Sequence, residues 1–383
     1  MSRATRPVEC DWHHSSLCAI LRSSYDAIPA RNLCRDVPRT ARSGRRTARR
    51  GLGMNDQARP ERPRVGVVGL GAMGLGMARS LRAAGFDVGV HDLRPEVAAA
   101  FADEGGTAYA SAGELAAAVD VLVGVVVNAA QVESVLFGAD GAAERLRPGS
   151  VYVMCSTADP DWSAALEKRL AERGVRYLDA PISGGAARAA SGELTMMTSG
   201  AAAAYAVADP VLDAMSATVY RLGDEAGIGS KVKIVNQLLA GVHIAAAAEA
   251  MALGLKAGVP ADALYEVITH SAGNSWMFEN RMAHVLAGDY TPLSAVDIFV
   301  KDLGLVLDAA RPEKFPLPLA ATAHQMFLQA SASGLGGEDD SAVIKIFPGI
   351  ELPEPSRSTE PVELSGPSRA SGPSQSAEPT EES

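Results

Sequence analysis

Short apolar runs separated by helical segments dominate residues 64 to 180. Five of these runs have the length of buried strands: Arg64–Leu70, Asp87–Asp92, Val119–Val127, Ser150–Cys155 and Val175–Ala180. The stretches Pro95–Gly105 and Asp159–Gly174, which lie between them, have helical spacing. Strands that alternate with helices are typical of βαβ units, whose strands run parallel in one sheet. The pattern therefore predicts a doubly wound parallel sheet, with ligands at the carboxyl ends of its strands.

The second half of the chain has no strand pattern. A long apolar stretch from Gly227 to about Gly258 predicts one helix of roughly 45 Å, long enough to connect two bodies. Four further helices are predicted after it: Ala261–Ser271, Trp276–Gly288, Asp297–Ala310 and Ala320–Ala332. The predicted fold class is therefore α/β, with an N-terminal doubly wound domain joined by a long helix to an all-α C-terminal domain.

The two ends differ in composition from the middle. Residues 1–53 contain eleven arginines, no lysine and four acids, without a hydrophobic period. We interpret residues 1–63 as a disordered or spurious extension, with Met54 as an alternative start. Residues 351–383 are rich in Pro, Ser, Glu and Gly and predict a disordered tail, since they cannot build a core. Residues 64–226 are then expected to form the α/β domain, and residues 227–350 the all-α domain.

A glycine-rich turn follows the first predicted strand. It reads Gly69, Leu70, Gly71, Ala72, Met73, Gly74, and Asp92 lies 23 residues after the first glycine, at the end of the second strand. This spacing matches the Rossmann fingerprint, in which glycines let the backbone approach a pyrophosphate and the acid binds ribose hydroxyls. Asp92 favours NAD over NADP, while the neighbouring Arg94 keeps NADP as the alternative.

Polar residues follow three other predicted strands. Asn128, Ser156 and Thr157 lie at strand ends where a cofactor would bind, and the alternative is that they serve as turn and cap residues. Ser183, Gly184 and Gly185 follow the last strand. Successive N–H groups in such a turn can bind a carboxylate, and the alternative is a flexible turn.

One lysine is grouped with two amides at the start of the long helix. Asn236 and Gln237 lie three and four residues after Lys233, on the same helix face, whereas Lys231 points elsewhere. A lysine beside amides at a domain boundary suits proton transfer to or from a hydroxyl or carbonyl. The alternative is an ordinary polar first turn. Lys301 lies in a later helix, where a plain surface lysine is the alternative.

Charge and cysteine content exclude several classes of protein. A net charge of −10 argues against nucleic acid as a main partner. No apolar run reaches about 18 residues without interruption, so no membrane span is predicted. Cys155 is the one cysteine in the body of the chain, which fits a reducing cytoplasm. No His, Cys and Asp cluster has ligand spacing, so no metal is predicted.

Four ordered motifs together carry a family resemblance: Val67–Gly74, Asp179–Gly185, Gly227–Gln237 and Phe299–Leu303. The chain from about Arg64 to Phe347 resembles the β-hydroxyacid dehydrogenases, which include 3-hydroxyisobutyrate dehydrogenase and tartronate semialdehyde reductase. The resemblance implies that residues 64–226 are an NAD-binding domain, that residues 227–350 are an all-α domain for substrate binding and dimerisation, and that the active site lies in the cleft between them.

The resemblance also implies roles for the residues singled out above. Lys233 would be catalytic, Ser183, Gly184 and Gly185 would hold the substrate carboxylate, and Asn236 or Gln237 would orient the substrate. Ser156 or Thr157, together with Lys301, would contact the cofactor or close the site over it.

Within the family, three stretches look closest to a branch that oxidises L-threonate, a four-carbon sugar acid: Val127–Gln131, Asn236–Leu253 and Asp340–Phe347. The chain departs from many relatives, which have Leu-Pro after the fourth strand where this chain has the stretch Val126–Ala130. We therefore expect NAD-dependent oxidation of a four-carbon sugar acid to a 2-oxo acid. The alternatives are a 3-hydroxyisobutyrate dehydrogenase, a tartronate semialdehyde reductase or a non-catalytic nucleotide-binding scaffold. The expected partners are a small hydroxy acid and further copies of the chain, as a homodimer or homotetramer.

Overall fold

The computed structural model describes residues 62–355. The expectations for the first 61 residues and for the tail from residue 356 concern segments outside the described residues.

The first half contains the predicted parallel sheet. Its strands are β1 (Val65–Val68), β2 (Val88–His91), β3 (Thr107–Ala108), β4 (Val121–Gly124), β5 (Val151–Met154) and β6 (Arg176–Asp179). The order across the sheet is β3-β2-β1-β4-β5-β6, and every pairing is parallel. The connecting helices are α1 (Gly74–Ala83), α2 (Pro95–Asp103), α3 (Ala112–Ala118), α4 (Ala129–Phe137) and α5 (Pro160–Ala171). The strand order reverses between β1 and β4, which is where such sheets bind ligands.

Both faces of this sheet are buried, as its continuous apolar strands require. In β5, Val151 and Val153 face one hydrophobic cluster, while Tyr152 and Met154 face the cluster on the opposite side. The alternation follows from the two-residue period of a strand. The predicted α/β class is confirmed.

A second, three-stranded sheet follows β6, and the sequence pattern did not predict it. It contains β7 (Ile182–Ser183), β8 (Leu194–Thr198) and β9 (Ser216–Arg221), with α6 (Gly185–Ser191) and α7 (Ala202–Met215) between its strands. A bridge between Asp179 and Ser199 joins it to the end of β6. The strand β7 has two residues and β9 is mostly exposed, so neither carries a strong apolar signal.

The C-terminal half is helical, as predicted. Its helices are α8 (Ile228–Lys256), α9 (Ala261–Thr269), α10 (Trp276–Ala287), α11 (Val296–Ala310) and α12 (Pro318–Ala330), followed by the short helices Ser331–Leu335 and Asp340–Ile346. Small residues on α8 let its neighbours approach closely. A Cβ added at Gly241 would lie 2.9 Å from side-chain atoms of Leu303 on α11. The division into domains at residues 226 and 227 stays a prediction.

The 29 residues of α8 are apolar enough, and the helix is long enough, to pass a membrane-span criterion based on length and composition alone. A core helix of a water-soluble protein passes the same criterion. Ile244, Ala248 and Met251 of α8 are completely buried within the cluster that α10, α11 and α12 also form.

Candidate active site

Lys233 lies in the second turn of α8 and is almost completely buried, with 7% of its surface exposed, whereas Lys231 faces solvent. Its Nζ donates a hydrogen bond of 2.7 Å to the carbonyl oxygen of Ile182. Burial lowers the pKa of Lys233 to about 8, with Asp302 raising it and Lys301 lowering it. Both protonation states are therefore accessible near neutral pH, which is the property required of a general acid and base.

The predicted carboxylate-binding turn lies directly beside this amine. Ile182 and Ser183 form β7, which pairs antiparallel with β8 and so fixes the start of the turn. Gly184 has φ +138° and Gly185 has φ +77°, conformations that side chains rarely adopt. A Cβ added at Gly185 would meet nothing within 4 Å, so there is open space beside this backbone.

The two amides after Lys233 form a hydrogen-bonded chain. Asn236 Nδ2 donates to Gln237 Oε1 at 3.0 Å, and Gln237 Nε2 donates to Asp302 Oδ2 at 2.5 Å. Asp302 is 2% exposed and was not among the predicted site residues. The only sequence signal for it is its position next to Lys301, because its partner Gln237 is 65 residues away.

Lys301 lies on α11 and connects the C-terminal helices, which we call the helical lobe, to the lobe that contains the parallel sheet. Its Nζ donates to Asp302 Oδ1 at 2.5 Å and to the carbonyl oxygen of Thr157, beyond the end of β5, at 3.3 Å. The side chain is 22% exposed, so it is not a plain surface lysine. The structure thus places Lys301 beside Thr157, and contact of either residue with the cofactor stays a prediction.

The glycine-rich turn between β1 and α1 fits a pyrophosphate. Gly69 has φ +90°, and a Cβ added at Gly74 would lie 1.8 Å from the carbonyl oxygen of Gly69. A Cβ at Gly71 would meet nothing within 4 Å. Within residues 62–355, no hydrogen bond engages the N–H groups of Gly71, Ala72 and Met73. Unpaired N–H groups at the start of a helix are a site for a phosphate.

Asp92 follows β2 and lies against the same turn. Its Oδ2 accepts a hydrogen bond of 2.6 Å from the N–H of Leu70, and its Oδ1 accepts from the N–H and Nε of Arg94 at 2.9 and 3.0 Å. Burial alone would raise the pKa of Asp92, but the hydrogen bonds from Arg94 and Leu70 outweigh it and hold the pKa below its usual value. Asp92 is therefore ionised, as an acceptor for ribose hydroxyls must be.

Asn128 and Ser156 have local structural roles. Asn128 Oδ1 caps α4 by accepting from the N–H of Gln131 at 2.9 Å, and Ser156 Oγ donates to the carbonyl oxygen of Val126 at 2.6 Å. The cap chemistry considered for Asn128 is thus present. Contact of either residue with the cofactor stays a prediction.

In the described part of the chain, no group of three or more His, Cys, Asp and Glu residues is arranged to hold a metal ion. Cys155 is buried in the sheet, and burial raises the pKa of its thiol well above the usual value. It therefore packs as a small apolar residue.

A dinucleotide turn on a parallel sheet, with a buried lysine of near-neutral pKa on an adjoining helical lobe, defines the class: a nicotinamide-dependent dehydrogenase. Two family models match the chain. Residues 64–223 match the NAD-binding domain of 6-phosphogluconate dehydrogenase, and residues 227–347 match the model described as NAD-binding of NADP-dependent 3-hydroxyisobutyrate dehydrogenase.

Similar proteins cover the same region. An L-threonate dehydrogenase of Cupriavidus necator is 68% identical over 76% of this chain and 97% of its own length. An L-threonate dehydrogenase of Haemophilus influenzae is 54% identical over 76% of this chain and 97% of its own length. A crystal structure from Salmonella typhimurium, described as 3-hydroxyisobutyrate dehydrogenase, is 57% identical with a TM-score of 0.72, covering 74% of this chain and 99% of that one. The chain belongs to the β-hydroxyacid dehydrogenase family and is an NAD-binding oxidoreductase.

Proposed function

We propose that this enzyme oxidises L-threonate to the corresponding 2-oxo acid, 2-dehydro-L-erythronate, with NAD. The observation that carries the proposal is the position of Lys233, whose amine lies against the carbonyl oxygen that directly precedes the Ser183–Gly185 turn. An amine that can exchange a proton is thereby placed next to a turn suited to a carboxylate. The identity to relatives named L-threonate dehydrogenase supports the choice of substrate.

In this mechanism the Ser183–Gly185 turn binds the substrate carboxylate through its hydroxyl and N–H groups. The substrate hydroxyl then faces Lys233, whose neutral amine accepts the hydroxyl proton during oxidation. In the reverse direction the ammonium donates that proton. The nicotinamide of NAD supplies the hydride acceptor when it is bound.

The amide pair orients the remaining hydroxyls of the substrate. The Gln237 side chain is fixed by its hydrogen bond to Asp302, and it in turn accepts from Asn236. Asn236 is partly exposed and is the member of the pair that can reach a substrate. Lys301, which contacts Thr157 across the two lobes, closes the site over the cofactor.

NAD is the proposed cofactor, and NADP is the alternative. The ionised Asp92 would repel a 2′-phosphate, whereas Arg94, whose side chain is 55% exposed, could pair with one. Comparison of kcat/KM with NAD and with NADP tests this proposal. A higher value with NADP would contradict the choice of NAD.

A second candidate substrate is 3-hydroxyisobutyrate, because the Salmonella typhimurium structure is described as a dehydrogenase of that acid. Tartronate semialdehyde, reduced with NADH, is a third. A panel of the three compounds decides between them. A site that binds several substrate hydroxyls rejects an analogue that lacks them, so we expect kcat/KM for L-threonate to exceed that for 3-hydroxyisobutyrate by ~10²-fold or more. A higher value for either rival would replace the proposed substrate.

We further propose that the chain self-associates through the exposed face of α8. Four apolar side chains on this helix are 39% to 71% exposed: Val232, Val235, Leu239 and Leu253. Their spacing follows the helical period, so they lie on one face. An apolar stripe of this kind marks an interface. Light scattering of Leu239→Asp should show a smaller assembly than wild type, with Leu319→Asp on α12 as the control.

We also propose that the enzyme works in the cytoplasm, with neither nucleic acid nor membrane as a partner. The net charge of −10 and the buried free thiol of Cys155 support this proposal.

A further inference from the structure

Asp179, the last residue of β6, is completely buried and has no role in the mechanism above. Its carboxylate accepts hydrogen bonds from the start of α8. Oδ2 accepts from the N–H groups of Gly227 at 2.9 Å and Ser230 at 2.8 Å, and Oδ1 accepts from Ser230 Oγ at 2.7 Å. A buried carboxylate is costly unless such donors surround it.

The start of α8 has no capping side chain of its own. Its N-cap residue is Gly227, with φ +95°, which carries no acceptor. Five other helices of the described chain use the side chain of the residue just before them: Ser111, Asn128, Asp159, Ser275 and Asp339. For α8 the cap is instead supplied by Asp179, 48 residues earlier in the sequence. The negative charge also suits the positive end of the helix dipole.

The segment that supplies this cap also forms part of the active site. Three residues after Asp179, the carbonyl oxygen of Ile182 accepts the hydrogen bond from Lys233 Nζ, and the Ser183–Gly185 turn follows at once. On the helix side, Ser230 and Lys233 are one turn apart. The same two stretches of chain are thus joined at two points, one at the cap and one at the amine.

We propose that Asp179 is a positioning residue that fixes the first turns of α8, and so holds the amine of Lys233 at its working distance from the carboxylate-binding turn. The inference rests on the proposed function of Lys233. Asp179 touches neither substrate nor cofactor in this account, and it acts through Ser230 and the helix backbone.

Substitution of Gly229 provides a second way to displace the first turn of α8. A Cβ added there would lie 2.4 Å from the carbonyl oxygen of Met197 and 2.9 Å from that of Asp179. The N–H of Gly229 also donates to Ser199 Oγ at 3.0 Å. Gly229→Ala therefore displaces the start of α8 while the carboxylate of Asp179 remains.

The test compares Asp179→Asn and Gly229→Ala with wild type in the full-length protein. We expect kcat to fall by ~10²-fold in both, since a displacement near 1 Å has an effect of that size. The dissociation constant for NAD, measured by titration calorimetry, should stay unchanged, because the glycine turn and Asp92 are untouched.

A second readout needs no substrate. Reactivity of the Lys233 amine toward acetic anhydride, followed across pH by peptide mass spectrometry, gives its titration midpoint. We expect the midpoint to move from about 8 toward the ordinary lysine value, by about one pH unit or more, as the displaced amine gains solvent. The charged side chains that act on Lys233, Asp302 and Lys301, are unchanged in both variants.

Asp339→Asn is the matched control. Asp339 is also completely buried and accepts from the N–H and Oγ of Ser341 at 3.1 and 2.7 Å, so it is a cap of the same chemistry in the helical lobe. We expect this variant to unfold at lower temperature while kcat and the Lys233 midpoint stay at wild-type values.

If Asp179→Asn keeps the wild-type kcat and midpoint and only unfolds earlier, Asp179 is a structural cap and the inference is overturned. If this variant is insoluble, Gly229→Ala and Ser230→Ala carry the same test. A wild-type enzyme without turnover on any hydroxy acid would remove the proposed function. The labelling midpoint would still report whether Asp179 positions Lys233.

Discussion

At the scale of single residues, the proposed function requires a lysine whose pKa lies close to neutral pH. A lysine in water has a pKa of ~10.4 and is a poor base at pH 7. Burial of Lys233 brings its pKa to about 8, while the nearby Asp302 limits the shift. At pH 7 roughly a tenth of the amine is then neutral, compared with well under a thousandth for an exposed lysine.

This pKa predicts opposite pH dependence for the two directions of the reaction. Oxidation needs the neutral amine, so its kcat/KM should rise about tenfold per pH unit below pH 8 and level off above it. Reduction needs the ammonium and should decline above pH 8. Initial rates in both directions between pH 6 and 10 check this, and parallel profiles would contradict the assigned role.

The charges beside Lys233 predict how substitutions shift the pH profile of oxidation. Its negative charge raises the pKa of Lys233, so Asp302→Asn should lower that pKa and shift the acid limb of oxidation to lower pH. Lys301→Met should shift the limb to higher pH, because Lys301 lowers the same pKa. Shifts of the same sign in the two variants would exclude this electrostatic account.

Spacing along the chain predicted only which candidate residues share one helix face, and the family resemblance supplied the rest of the candidate site. Lys233, Asn236 and Gln237 share a helix face by arithmetic, and the structure buries the lysine and Gln237 while Asn236 stays partly exposed. The contact between Gln237 and Asp302 joins two helices, and no spacing along the chain could show it. Asp179 belongs to one of the family motifs, but its capping of α8 could likewise not be predicted, since its partners lie 48 and 51 residues away.

At the scale of elements, α8 connects the cofactor-binding lobe with the helical lobe. Its first turn is held by β6 and β8, and its middle forms the core of the helical lobe. The element could be predicted because its apolar run is long and has no internal proline. The small sheet β7-β8-β9 could not, because its short strands lie among alanine-rich segments that read as helix.

Packing between α8 and α11 predicts that two leucines contribute very differently to the free energy of unfolding. Leu303 is completely buried against Gly241, so Leu303→Ala should lower the free energy of unfolding by ~2–5 kcal/mol. Leu319 is 69% exposed on α12, and Leu319→Ala should change it by less than ~0.5 kcal/mol. Urea denaturation measures both values. Equal losses would mean that α11 does not pack on α8 in this way.

At the scale of the whole molecule, the proposed reaction uses residues from both lobes. The carboxyl edge of the parallel sheet carries the dinucleotide turn and Asp92, and the start of α8 carries Lys233. The hydrogen bond from Lys301 to Thr157 joins the lobes beside them. The alternation of strands and helices was enough to predict an α/β half followed by a helical half, whereas the contacts between the two halves required the structure.

The most direct test of the account is Lys233→Met. Methionine fills the same buried space without a titratable group, so the variant should fold and bind NAD with wild-type affinity. We expect its rate of NAD-dependent oxidation of L-threonate to fall by ~10²–10⁴-fold or more, with the dependence on pH around 8 abolished. Wild-type turnover with an unchanged pH profile would show that Lys233 is not the acid and base of this enzyme.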